Sequence, residues 1–187
     1  MNMEMDSGRK ARRNPAASSS SESFSEADTI RAWIETQESL KKRLVAEDYF
    51  PWRIRFEKGE GNDIQLRYVG GVDVSYPKSD DRSTVCGTLV VIDFSSLEVV
   101  YCDFSLVKVN VPYIPGFLAF REAPIFLQLL EKMKKTGSLF YPQMLMVDGN
   151  GLLHPRGFGL ACHLGVLANL PTIGIVASSR RRAKRFR

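Results

Sequence analysis

Long apolar runs are missing from this chain. The longest, such as TLVVID and MLMV, fall far short of the roughly 20 residues a membrane-spanning helix needs. The first 23 residues, MNMEMDSGRKARRNPAASSSSES, hold charges and serines but no apolar stretch of signal-peptide type. Cysteine is scarce: Cys86, Cys102 and Cys162 are odd in number, widely spaced and form no C-x-x-C pair, a pattern of free thiols in a reducing compartment. The two histidines, His154 and His163, lie nine apart, which is not the spacing of a helical zinc site. No G-x-S-x-G elbow occurs, and GNGLLHPRG lacks the G-K-[ST] of a phosphate-cradling loop. DGNGLL fails as a calcium loop, because Asp148 and Asn150 fit its first and third places but Leu152 takes the fifth. No internal repeat is visible. A membrane protein, a disulfide scaffold, a zinc helix and a P-loop enzyme are all disfavoured.

What is present begins with charge. The net charge is +5 and the pI about 9.2, but the basic residues are unevenly placed. The final RRRAKRFR carries six of the 26 Lys and Arg, and setting those six aside takes the net charge from +5 to −1. The basicity therefore belongs mostly to a tail. Such a tail is either a nucleic-acid or nuclear-address element or simply a solvated end.

Residues 1–23 are polar and serine-rich, the composition of a disordered tail. From Ser25, Ile30, Trp33, Ile34, Leu40 and Leu44 fall at spacings near three and four, predicting an amphipathic helix with Ser25 or Asp28 as N-cap. YFPWRIRF reads as an aromatic connector. LRYVGGVDVSY, TVCGTLVVIDF and LEVVYCDFSLVKV read as an antiparallel three-stranded meander. AFREAPIFLQLLEKMKK has helical period through Phe120, Ile125, Leu129 and Met133. QMLMVD, FGLACHLGVLANL and PTIGIVA then give strand, helix and strand, the mark of parallel pairing buried on both faces. The order is β-β-β-α-β-α-β behind an N-terminal helix. The expected fold class is α/β, a mixed sheet of three antiparallel strands followed by parallel strands, with helices on both faces. The domain spans residues 24–177, and 178–187 form the basic tail.

Three acids stand at telling places. Asp73 lies between valines inside the first strand, where a carboxylate is costly to bury unless paired or metal-bound. Glu122 lies near the start of the long helix, after Arg121. Asp148 ends the strand MLMV, and ligands of open α/β sheets gather at the carboxyl ends of strands. Carboxylates without a His or Cys cluster suit Mg²⁺ or Mn²⁺ better than zinc, and such ions serve phosphoryl displacement. Each acid also has a plainer reading: a hydrogen-bonded strand Asp, a helix-terminal Glu, and a turn-forming Asp before Gly149.

GGVDVSY, VPYIPGFLAFRE and MLMVDGNGLLHPRGFGLACHLGVL with LPTIG, in this order, resemble the endonuclease V family, in its eukaryotic branch, over roughly residues 30–175. The resemblance implies an RNase H-like fold and a metal-dependent nuclease that hydrolyses the second phosphodiester bond 3′ to inosine, leaving 3′-hydroxyl and 5′-phosphate ends. Inosine in single-stranded RNA is the substrate expected of the eukaryotic branch and deaminated DNA that of the bacterial one. Asp73, Glu122 and Asp148 match the family's Mg²⁺ carboxylates, with Mn²⁺ as a possible substitute. His154 matches a histidine near the scissile phosphate; a neutral core histidine is the other reading. Arg121 either pairs with a phosphate or forms a surface salt bridge. Pro112, Tyr113, Ile114 and Pro115 match the family's wedge, a stiff loop whose ring fills the gap left by a flipped base. Gly116, Leu118 and Gly149 resemble the lining of the base pocket. Expected partners are nucleic acid and no membrane, for a monomer found in nucleus, nucleolus and cytoplasm.

The match departs after PTIGI. Family members continue to a lysine at about Ala177 and onward to a further acid; here the chain reads VASSRRRAKRFR. The expectation is a product shortened at its C-terminal end, with part of the sheet uncovered and the site weakened. A catalytically impaired chain that only binds nucleic acid is the alternative.

Overall fold

The computed structural model describes residues 25–47, 50–53, 64–78 and 83–176. The serine-rich segment 1–23, Ala177 and the basic tail lie outside the described residues.

Helix α1 (Glu26–Lys41) starts at Ser25, whose Oγ accepts the Asp28 N–H at 3.2 Å. Of the two candidate caps, Ser25 is therefore the one used. After it, Trp52–Arg53 (β1) and Ile64–Gln65 (β2) form a short parallel pair. The main sheet follows: β3 (Tyr68–Ser75), β4 (Thr84–Asp93) and β5 (Val99–Lys108) make the antiparallel meander. Helix α2 (Leu118–Lys135) leads to β6 (Met144–Asp148), and α3 (Leu160–Ala168) leads to β7 (Thr172–Ile175). Strand order is β5-β4-β3-β6-β7, with β6 parallel to β3 and β7 parallel to β6. The mixed α/β sheet is as the sequence implied.

The placement of helices differs from expectation. Val72, Val74, Val85, Leu89, Val91, Leu145 and Val147 share one face, packed with Ile125, Leu129 and Leu164 from α2 and α3. Among the described residues no helix packs on the opposite face, and α1 packs on α3. Handedness explains this. Both crossovers, β5–α2–β6 and β6–α3–β7, join parallel strands and step the same way across the sheet, so right-handed connections put both helices on one side. The opposite face is covered at one end by Trp52, Leu66, Val69 and Met144, with Phe50 stacked on Trp52. Elsewhere it is open: Phe104 is 62%, Leu106 69% and Ile175 44% exposed.

Helix α2 runs through Pro124 without breaking. The lost amide costs one bond, but Ile125, Phe126, Leu129, Leu130 and Met133 are all buried on the sheet side, each contributing about 1.5–3 kcal/mol.

Candidate active site

The strands and loops that carry the expected site residues meet at one edge of the sheet. Strands β3, β5, β6 and β7 run in the same direction, so their carboxyl ends share that edge, where ligands of α/β sheets collect. The loop from β5 to α2 carries Pro112–Gly116, and the loop from β6 to α3 carries Gly149 and His154.

Val72 pairs with Val147, so Asp73 and Asp148, one residue on, lie side by side on adjacent strands, about 5 Å apart in backbone spacing. Both point to the open face and line a shallow depression of about 310 Å³ with Gly71, Thr88, Met146 and Ile175. The Val74 N–H donates to Asp73 Oδ1 at 2.8 Å, fixing that carboxylate. Glu122 approaches from the helix side. It lies one helical turn before Ile125 on the buried stripe and is only 6% exposed. Burial raises its proton affinity, and the charges of Asp73 and Asp148 raise it further; the Tyr76 hydroxyl and Arg121 oppose them. The charges of two strand carboxylates thus reach a third on the helix.

Among the described residues they do not close into a ready-made cation cage. Mg²⁺ needs only one or two protein carboxylates because it keeps several waters. The all-oxygen donor set fits a hard divalent ion.

Sequence reasoning missed Tyr76. Its hydroxyl donates to Glu122 Oε1 at 2.7 Å and accepts from Arg121 Nε at 3.3 Å. Burial, then the Glu122 carboxylate, push the phenol up to about 12, so it remains a donor. Arg121 also donates from Nη1 to the Val111 carbonyl at 2.8 Å and lies over the Tyr76 ring. In the structure Arg121 tethers the loop beside Tyr113.

Tyr113 is 66% exposed between two exposed prolines. Gly116 has φ +86°, and a Cβ there would face His154 Nε2 at 4.0 Å, so the two loops adjoin. His154 Nδ1 accepts the Arg156 N–H at 3.2 Å, which leaves the proton on Nε2 in the neutral ring. Burial and the Arg156 charge lower its proton affinity. His154 thus offers an Nε2–H donor beside the Tyr113 loop. Leu118 begins α2, half-buried against the core. Gly149 donates its N–H to the Ile175 carbonyl at 2.9 Å, and a side chain there would press on Leu160 at 3.1 Å. Its amide is committed to the sheet.

The His154 loop is anchored to α1, another link the sequence did not reveal. Gln37, buried, donates to the Phe158 carbonyl at 2.8 Å and accepts from Arg156 Nε. Arg156 pairs with Glu38 at 3.3 Å and lies over the Phe117 ring. Gln37 falls on the inner stripe of α1 three residues before Leu40, which was the available signal.

The fold and site define an α/β domain with an acidic edge beside a stiff aromatic loop. The family model for endonuclease V matches residues 49–184. Human endonuclease V is 45% identical over 148 residues, covering 79% of this chain and 50% of the relative. The solved catalytic domain of human endonuclease V superposes with a TM-score of 0.71 at 42% identity, over 80% of this chain and 58% of that one. A Ciona intestinalis endonuclease V, solved with DNA containing an inosine followed by a ribo-adenosine, gives 0.69 at 34% identity over 83% and 59%. The chain belongs to the endonuclease V family. It spans about half the length of the curated relatives it matches.

Proposed function

We propose that this chain is a divalent-metal-dependent endonuclease that recognises inosine in nucleic acid and hydrolyses the second phosphodiester bond on its 3′ side, leaving a 3′-hydroxyl and a 5′-phosphate. One observation carries the reading: the register of β3 and β6 sets Asp73 beside Asp148 at the carboxyl edge of the sheet, with Glu122 reaching the same edge from α2. A buried carboxylate facing two strand carboxylates, at the sheet edge where ligands of α/β folds collect, is an arrangement that a hard divalent cation would neutralise. The inosine preference rests on family membership and on the inosine-containing DNA bound by the Ciona relative.

Asp73, Glu122 and Asp148 would hold the ion, Mg²⁺ first and Mn²⁺ as substitute. When bound, it supplies an activated water and neutralises charge on the displaced oxygen. The protein's own groups do the rest. Asp73 is preset by the Val74 amide. His154 donates Nε2–H toward the phosphate. Tyr113, stiffened by Pro112 and Pro115, fills the space vacated by the everted base, with Ile114 beside it. Gly116 keeps the path between the loops open, and hypoxanthine, with a carbonyl where adenine has an amine, is told apart by donor and acceptor sign. Leu118 and Gly149 shape the floor by packing.

The test is to incubate the purified chain with single-stranded RNA or DNA containing one inosine, with Mg²⁺ or with EDTA, beside Asp73→Ala. Cleavage one nucleotide beyond the inosine, lost in EDTA and in the variant, is expected. Retarded migration without cleavage would replace the enzyme by a nucleic-acid binder. Comparing RNA with DNA decides the substrate. Placement in the nucleus or nucleolus through the run Arg180–Arg187 is a separate proposal, and a reporter fusion that stays in the cytoplasm refutes it.

A further inference from the structure

Tyr76 stands immediately after β3, three residues beyond Asp73, and its hydroxyl bridges two features of the site. On one side its hydroxyl donates to Glu122 Oε1 at 2.7 Å. On the other it accepts from Arg121 Nε at 3.3 Å, and Arg121 Nη1 reaches the Val111 carbonyl at 2.8 Å. Val111 precedes Pro112 and Tyr113. The path therefore runs from a carboxylate of the acidic edge, through one phenol and one guanidinium, to the base of the aromatic loop. Hydrogen bonds of this kind polarise one another along a chain. Arg121 and Glu122 are also consecutive in α2, so a shift of that turn moves both ends of the path. Tyr76 is the one member of the path that lies neither on α2 nor on the aromatic loop.

We propose that Tyr76 is a positioning residue that couples the carboxylate of Glu122 to the ordering of the loop 109–114, so that cation binding at the acidic edge tightens the loop bearing Tyr113. The inference rests on the metal-dependent reading above. Tyr76 holds Glu122 with Oε1 engaged and Oε2 available. A cation that fixes Glu122 fixes the phenol, which fixes Arg121 and with it the Val111 carbonyl. The base of the aromatic loop is then held more tightly when the site is loaded, and a base is displaced most readily where cleavage can follow.

The test uses Tyr76→Phe, which removes one oxygen from a partly exposed ring and keeps the surface for Arg121 to stack on. Mn²⁺ is the probe, its free concentration read by electron paramagnetic resonance. Hydrogen exchange is followed in peptides covering 109–114, with and without Mn²⁺. In the unsubstituted chain Mn²⁺ is expected to slow exchange in this segment. In Tyr76→Phe the Mn²⁺ Kd rises about tenfold, exchange without metal quickens about threefold or more, and saturating Mn²⁺ no longer slows it. A purely structural loss would quicken exchange but leave the response to Mn²⁺ intact, and that outcome overturns the coupling. So does a Kd within twofold of the unsubstituted value. If the unsubstituted chain binds no Mn²⁺, the metal reading itself fails and this inference falls with it, a result seen before the variant is examined.

Discussion

The two faces of the central sheet are made of similar residues and meet opposite fates. Val72, Leu89, Val91, Leu145 and Val147 face α2 and α3 and are buried. Phe104, Leu106, Met146, Ile173 and Ile175, on the sheet's other face, are exposed among the described residues. Composition does not separate them. Two crossovers stepping in one direction do, because right-handed connections stack both helices on one side. The acids follow the same division: Asp73 and Asp148 sit on the open face, where water reaches them, whereas Glu122 enters from the covered side and needs the Tyr76 hydroxyl to offset its burial.

The largest test of this contrast pairs two leucines. Leu129→Ala, in the covered core, should cost about 2–5 kcal/mol, while Leu106→Ala on the open face should change stability by less than about 0.5 kcal/mol. Urea denaturation of both variants measures it, and equal losses would mean that the open face is buried in solution.

Next comes pH. His163 is buried on the covered side with its ring edge against Phe120, and burial lowers its proton affinity to about 4. Between about 6.5 and about 4 the unfolded chain takes up a proton that the folded chain refuses, so stability falls as pH falls through that window. His163 alone should contribute about 3 kcal/mol of this loss. Melting curves at pH 7.5 and 5 should therefore converge partly in His163→Phe; an unchanged acid sensitivity would assign it to other groups.

A smaller effect separates two glycines on adjacent strands. A Cβ at Gly87 would collide with Ile125 Cγ2, whereas one at Gly71 meets nothing within 4 Å. Gly87→Ala should cost about 1–3 kcal/mol. Gly71→Ala should be neutral or slightly stabilising, by up to about 1 kcal/mol. A reversal of that order would place the helices on the wrong face.

Much of this was legible beforehand. The order of the main-sheet strands and the three helices followed from hydrophobic period and turn residues, and Asp73, Glu122 and Asp148 stood out because acids interrupt or end apolar runs. Ile125, Leu129 and Met133 were readable as an inward stripe. Phe120, on the same stripe, is only half-buried and stacks on Trp33 at 4.9 Å. Tyr76 was not legible, since one hydroxyl after a strand has no local signature and its partner lies 46 residues away. The same holds for Gln37 and Arg156, separated by 119 residues. Arg121 was legible as a cation but not as a tether, because its partner is a backbone carbonyl, which every residue offers.

By itself the sequence determined the five strands of the main sheet, the helices, the stiff Pro112–Pro115 loop and the acids that end up at one edge, because these rest on local period, on residue shape and on the cost of burying charge; the two-residue strands β1 and β2, in what reads as a connector, were too short to show a period. Only the tertiary structure decided which sheet face is covered and which side chains hold the acids and loops in place. Those depend on the hand of the crossovers and on contacts between residues far apart in the chain, and neither leaves a mark on neighbouring letters.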